Sequence, residues 1–388
     1  MAIIKNITFL KAFLAENSLP SIYSKVTDSM GFNYTINTSS NTPEHVFLIK
    51  DFPDYLNINT QPKNKLKLAQ TKTLKGHLVE IKSFKSFSEY LKLNFSTKSR
   101  SNLRRYQNRL ETCFNINYAC YHGEIDKQEY DRLFVVLKDL LIKRFNEKQE
   151  VNYELQHLEE FHDIVYDLII SKKASLFVIY DGKKPISIRI NMFKEKLGFY
   201  IISGYDIDYS KFHLGSIDML KNIEWCFNNA FEVYDLLKGY DYYKTKWATK
   251  SHYYYNHVVY NSNSINSFFI GKLIHLKERI KYKSYTVIKG SKLHLQFKKI
   301  NRGKIKTAHA KPIVIVDNPD ESKIESTSQI NIHKNNDYAF LRKTLYDFLF
   351  TSKASVNNTK VLKINNSQNQ YLIKSNNKSQ LVTIEQNE

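Results

Sequence analysis

The sequence predicts a mixed α/β fold with a small β-rich appendage at its C-terminal end. Three observations predict it. Between residues 128 and 171 apolar residues recur at helical spacing, and from Leu176 the period changes to alternation. Over residues 176–237 the order runs strand, hairpin, strand, turn, strand, loop, helix, strand. Beyond residue 312, short alternating runs are joined by turns rich in Asn and Ser.

Taken in order, residues 1–80 read as α+β, with strands at 45–50 and 77–81. Ser86 and Glu89 form a capping box that opens a short helix. A second helix, 99–111, carries Arg100, Arg104, Arg105 and Arg109 as two adjacent i,i+4 pairs, giving one broad basic face. Helices follow at 128–147, with Leu133, Val136, Leu137, Leu140 and Leu141 on one side, and at 155–171. A strand at 176–180 meets the hairpin signal Asp181-Gly182. Next, Ile186, Ile188, Ile190 and Met192 alternate with Ser187, Arg189 and Asn191, the pattern of a half-buried strand. After a turn at 196–198 comes a third strand, 199–205, and a loop, 206–214. The following helix runs to about Ala230, with Ser216 as N-cap and Asp218 in the first turn. Strands are expected at 233–237, 257–261, 313–316, 361–364, 371–373 and 381–384, and a helix at 337–350.

Composition narrows the class. With 42% hydrophobic and 25% charged residues the chain can bury a substantial core, and 24 Phe and 27 Tyr against 11 Gly and 7 Pro argue against long flexible linkers. A formal net charge of +20 favours an anionic partner: nucleic acid, a phosphate-bearing cofactor or an anionic membrane surface. Residues 277–311 hold twelve Lys or Arg and one acid, Glu278, so that stretch is either a solvated basic face or a polyanion site. Cys113, Cys120 and Cys226 match neither a metal spacing nor a disulfide framework, which fits a reducing compartment. The apolar run at 9–14 is broken by Lys11 and is too short for a signal peptide, and no stretch has membrane-span length. A cytoplasmic protein without a metal is expected.

The informative feature is the third strand feeding a loop and then a helix start. Free N–H groups and the positive dipole end at Gly215 and Ser216 make a ready site for a pyrophosphate, with Lys211 and His213 adding charge.

Three blocks here carry a likeness to a known family: Lys98-Ser-Arg-Ser-Asn-Leu-Arg-Arg-Tyr-Gln-Asn-Arg-Leu-Glu111, Tyr200-Ile-Ile-Ser-Gly-Tyr-Asp-Ile-Asp-Tyr-Ser-Lys-Phe-His-Leu-Gly-Ser216 and Asp235-Leu-Leu-Lys-Gly-Tyr-Asp-Tyr-Tyr-Lys244. In their order and spacing, residues 95–247 resemble the acyltransferase domain of CelD-like proteins of cellulose and exopolysaccharide clusters, a branch of the GNAT superfamily. The Asp…Gly…Lys ending is also similar to that of FemABX-like transferases, which use aminoacyl-tRNA. The resemblance implies a GNAT fold, duplicated: residues 1–94 as a degenerate first half, 95–275 as the acyltransferase domain, and 276–388 as basic linker and appendage. The superfamily's phosphate loop departs here: Gly215 survives, and His213 stands where a glycine would sit.

The resemblance further implies that acetyl-CoA or another acyl-CoA is the co-substrate. Its pantetheine arm would lie along Ile201 and Ser203, and its pyrophosphate at Lys211, His213, Leu214, Gly215 and Ser216. An amine on a sugar-linked molecule is the expected acceptor. Asp235 is read as general base or as a carboxylate capping a turn or pairing with Lys238, and Asp241 as a second base candidate. Lys244 is an oxyanion or phosphate partner, or a surface ion-pair member. Tyr243 is a general acid for the thiolate, or packing; Arg104 and Arg105 contact an anionic substrate, or form a solvated face; His252 packs. Two other readings stand beside acyl transfer: aminoacyl transfer from charged tRNA, and a degenerate transferase fold that binds a polyanion or partner.

Overall fold

A computed structural model describes residues 3–28, 31–35, 45–60, 66–148, 153–239, 242–290, 313–324, 326–332 and 335–385. Asp241 and the basic stretch 291–311 lie outside the described residues.

In chain order the strands of the N-terminal region are β1 (Ile3–Thr8), β2 (Tyr23–Asp28), β3 (Asn33–Thr35), β4 (His45–Pro53), β5 (Leu56–Thr60) and β6 (Leu66–Glu80). The middle of the chain supplies β7 (Ile116–Tyr121), β8 (Ala174–Asp181), β9 (Lys184–Lys194), β10 (Leu197–Tyr205), β11 (Val233–Lys238) and β12 (Lys250–Asn261). The C-terminal strands are β13 (Ile313–Asp317), β14 (Thr327–Ile330), β15 (Lys360–Ile364), β16 (Gln370–Lys374) and β17 (Ser379–Ile384). The helices are α1 (Phe87–Asn94), α2 (Thr97–Cys113), α3 (Lys127–Lys148), α4 (Tyr153–Gln156), α5 (Leu158–Ile170), α6 (Leu214–Asn228), α7 (Tyr242–Trp247), α8 (Ile265–Gly290) and α9 (Arg342–Ser352).

One mixed sheet of nine strands, in the order β1-β4-β12-β6-β11-β10-β9-β8-β7, runs through the molecule. It is antiparallel except where β1 meets β4 and β10 meets β11. The sheet crosses residue 94, because β12 inserts between β4 and β6. α3 and α5 cover β8–β10 on one face, burying Leu137, Leu141 and Val165 against Ile188 and Ile190. On the opposite face α6, α1 and α2 pack over β9–β11, and α8 packs over β4, β12 and β6. Close packing explains Gly204, where an added Cβ would lie 2.9 Å from Leu137 Cδ1.

Local chemistry accounts for most boundaries. The Ser86 side chain accepts from the N–H of Glu89, and Glu89 accepts from that of Lys85, so the capping box holds with its return bond one residue early. Gly182 adopts φ 59° in the tight β8–β9 hairpin. β9 corrects the half-buried expectation: Ser187, Arg189 and Asn191 are at most 1% exposed, because their face lies under α6, where Asp218 and Asn222 meet them. α6 also begins earlier than expected. Its N-cap position is His213, in the left-handed region at φ 54°, ψ 45°, and no side chain caps it. Ser216 is therefore inside the first turn, and Asp218 lies beyond it, buried against β9.

The C-terminal sheet, ordered β13-β17-β16-β15-β14, does not stand apart from the rest. Leu345, Tyr346, Phe348 and Leu349 of α9 share a core with Leu110 and Phe114 and with Tyr209 and Phe212 of the β10–α6 loop. No helix among the described residues is long and apolar enough to cross a membrane.

Candidate functional site

The site is built where β10 and β11 part. They pair in parallel over three positions, Leu197 with Val233, Gly198 with Tyr234 and Phe199 with Asp235, and then separate. β11 turns back toward β6, pairing Lys238 with Gly76, while β10 stays on β9 with a register shift between Tyr200 and Ile202. Ile201 sits at that bulge. The result is a wedge in the sheet, widening towards Tyr205. Bulges re-aim side chains and end pairing in this way.

The wedge opens on both faces. On the α3/α5 face is a largely apolar recess of about 480 Å³, where Ile201 and Ile202 of β10 oppose Leu237 and Lys238 of β11. Asp51 lines it too, and its carboxylate accepts from Lys238 Nζ at 2.6 Å. Asp51 (φ 61°) and Leu237 (φ 64°) are both non-glycine residues in the left-handed region. Two such conformations at one mouth are the kind of strain that surrounding structure must hold in place.

On the other face a recess of about 580 Å³ lies between α2, α7 and the tip of α6, lined by Tyr106, His213, Ser216, Tyr243 and Lys246. The His213 ring stacks on Tyr106 with centroids 4.0 Å apart. Its left-handed backbone is one that a glycine adopts without cost. Burial, with Arg105 and Lys246 nearby, lowers the His213 pKa, so the ring is neutral at pH 7 and does not supply the expected positive charge. Tyr243 donates its hydroxyl to the Gly215 carbonyl, and the Tyr205 ring lies 3.1 Å from where a Gly215 Cβ would be. The α6 tip is thus fixed from two sides.

The remaining expected residues are dispersed. Lys211 points away from the helix tip into a recess with Asp347, Asp317 and Lys378 under the C-terminal sheet. Leu214 is a core residue, 1% exposed. Ser203 is buried, donating to Asp218 through Oγ, and its carbonyl accepts from Arg144. Lys244 donates to the Lys238 carbonyl at 3.1 Å and lies 5.4 Å from the Tyr200 ring centre, bridging the end of β11 to the middle of β10. Arg100 caps the end of α1 through the Lys92 and Phe95 carbonyls, and Arg109 caps α9 at Phe350. That leaves Arg104 and Arg105 as the exposed part of the basic face.

Asp235 corrects the general-base expectation, which needed burial to raise its pKa. It is fully buried and takes four donors: Tyr55 at 2.6 Å, the Leu237 N–H at 2.7 Å, His252 at 3.3 Å and Tyr254 at 3.3 Å. Burial alone would raise its pKa, but the neighbouring His252 and these hydrogen bonds outweigh it and hold the carboxyl below its usual range. His252 is raised in turn: Asp235 overcomes the opposing effect of burial. His252 therefore does more than pack. Its ring touches the position of a Gly76 Cβ at 2.4 Å, so only glycine fits opposite it.

Sequence reasoning missed Asp51, Lys238, Tyr106 and Tyr200 as parts of this site. None sits in a spacing that signals a role; Tyr106 lies in an Arg-rich helix and Tyr200 in an aromatic-rich strand. Among the described residues no group of three or more His, Cys, Asp or Glu is placed to hold a metal ion.

None of the curated proteins compared with the chain matches it. Among solved structures it is similar to FemX, with 10% identity and TM-score 0.41 over 59% of this chain and 74% of that one. It is also similar to L-PGS from Bacillus licheniformis, with 12% identity and TM-score 0.36 over 60% and 73%. A tandem GNAT protein from the clavulanic acid biosynthesis pathway shows 5% identity and TM-score 0.31 over 55% and 64%. Residues 97–245, which hold the wedge, the α6 tip and the start of α7, match the acetyltransferase (GNAT) domain family.

Proposed function

We propose that the chain transfers an acyl group, acetyl in the simplest case, from an acyl-CoA to an amine. The observation that carries this reading is the wedge between β10 and β11, opening beyond Phe199 and Asp235 inside the segment matched to the GNAT family. An extended thioester arm can lie along the unpaired edge of β10, with its pyrophosphate at the first turn of α6 beside Gly215 and the Ser216 hydroxyl; the Ser216 N–H, expected to be free, donates to the His213 carbonyl at 2.8 Å.

The acceptor amine enters from the Ile201 side, against the Asp51–Lys238 pair. Its nitrogen attacks the thioester carbonyl, the C–N bond forms and the C–S bond breaks. The amine proton passes to solvent or to Asp51, and the sulfur leaves as the thiol. Tyr243, whose pKa burial pushes well above the ordinary tyrosine value, keeps its proton at pH 7 and is assigned as the donor for the thiolate. Asp235 positions the end of β11, and Lys244 ties that end to Tyr200. The likeness to CelD-like proteins makes a sugar-linked amine the acceptor to try first.

Calorimetry with acetyl-CoA tests the reading: binding is expected for the native chain and a loss of about tenfold or more for Ile201→Trp, which fills the wedge. No heat from folded protein at high acetyl-CoA overturns it. The exposed Arg104 and Arg105 favour a second reading, aminoacyl-tRNA as donor. That reading requires salt-sensitive tRNA binding weakened by charge reversal at both arginines.

A further inference from the structure

α8 presents an apolar stripe to solvent. Ile265, Phe269, Leu273, Leu276, Ile280 and Val287 are 51–74% exposed. At 100° per residue all six fall within one arc of about 80°, opposite the face that packs on β4, β12 and β6 through Ser267, Gly271, Ile274 and Glu278. A helix already anchored by its inner face has no folding reason to carry a second apolar face.

Charge decides what that face meets. Lys272, Arg279 and Lys283 flank the stripe on one side, and Lys277 and Lys281 on the other, all exposed. None pairs with an acid among the described residues, and the sole acid of the helix, Glu278, is buried, accepting from Asn256 at 2.6 Å. The sequence continues through 291–311 with seven more Lys or Arg and no acid. Between α8 and strands β6 and β12 a recess of about 790 Å³ is lined by Lys72, Arg279 and Lys283 beside Leu276 and Ile280. A second copy of the helix would bring lysine against lysine along both flanks, with no acid to relieve them. A nucleic acid would match the charge and leave the apolar stripe in water.

We propose that α8 lies in the interface of an anionic lipid bilayer, its Ile265–Val287 stripe among the acyl chains, its flanking Lys and Arg at the phosphates, and the Lys72–Arg279–Lys283 recess over a headgroup. An apolar strip bordered by cations on both sides is what such a helix requires. The proposal is independent of the acyl-transfer reading.

Sedimentation with vesicles of equal parts phosphatidylglycerol and phosphatidylcholine tests it on the full chain, against vesicles of phosphatidylcholine alone. The expected result is binding to the anionic vesicles, about tenfold or more weaker to the neutral ones, and weakened by salt. Leu273→Glu with Ile280→Glu, both at exposed positions, should abolish binding while circular dichroism and thermal midpoint stay unchanged. Lys277→Glu with Lys281→Glu should weaken it about tenfold or more. Absence of binding to anionic vesicles at low salt overturns the proposal. So does binding that survives the Leu273/Ile280 change, which would place the contact in the basic segments alone. A concentration-dependent dimer lost in that same variant, without vesicle binding, assigns the stripe to a second copy instead.

Discussion

Two buried ion pairs flank the wedge, and they do different work. Arg189 and Asp218 join β9 to α6. The guanidinium donates to one carboxylate oxygen through two nitrogens, its carbon lies 4.0 Å from the Tyr200 ring centre, and Asp218 also accepts from Ser203 and Asn222. Asp235 and His252 join β11 to β12, and their hydrogen bonds reach Tyr55 and Tyr254. The first pair fastens a helix onto a sheet, and arginine keeps its proton at every accessible pH. The second fixes strand ends where the sheet opens, and histidine can lose its proton. A buried charge that cannot be neutralised is suited to holding architecture; one that can is suited to a place whose firmness changes with conditions.

Five changes sharpen or break that contrast. The largest effect is expected for Asp218→Asn, which strands a buried guanidinium and should cost about 3–5 kcal/mol in urea unfolding. Gly76→Ala drives a methyl into the His252 ring and should cost about 1–3 kcal/mol by the same measurement. His252→Gln should cost about 1 kcal/mol, and the cost should depend on pH. His252 has a raised pKa in the folded chain, so its stabilising effect is complete below about 6.5, the unfolded value, and fades as pH rises through the folded value. The gap in thermal midpoint between native and His252→Gln chains should therefore narrow from mildly acidic to alkaline pH. A gap that widens would show that the Asp235–His252 pair is not ionic. His213→Gly should be the smallest, within about 1 kcal/mol of zero, because relief of a left-handed backbone offsets the lost stack on Tyr106. His213→Val, adding a β-branched side chain to the same conformation, should cost more.

Much of the central fold is legible because its strands and helices obey simple periods. β8, β10, β11, α3 and α5 follow the apolar spacing directly, and β13 and β15–β17 follow their turns, while β14 carries no such signal. What period cannot show is a polar residue with a distant polar partner. Arg189 and Asn191 looked solvent-facing because Asp218 and Asn222 are about thirty positions away, on an element whose orientation the pattern does not specify. Ser216 looked like a cap because serine favours that place, yet tertiary packing of Leu214 starts the helix earlier. Asp235 could not be assigned from its neighbours, since three of its four donors come from Tyr55, His252 and Tyr254. The wedge itself follows from β11 keeping to β6, a pairing of segments about 150 residues apart, while β10 keeps to β9 through its bulge.

The packing of α9 against Tyr209 and Phe212 couples the C-terminal sheet to the candidate pyrophosphate loop through one shared core. Whatever part of the free energy of ordering one is shared through this packing is felt by the other. Hydrogen exchange would register this remotely: saturating acetyl-CoA should slow the amides of residues 342–352, although no part of that helix lines the wedge.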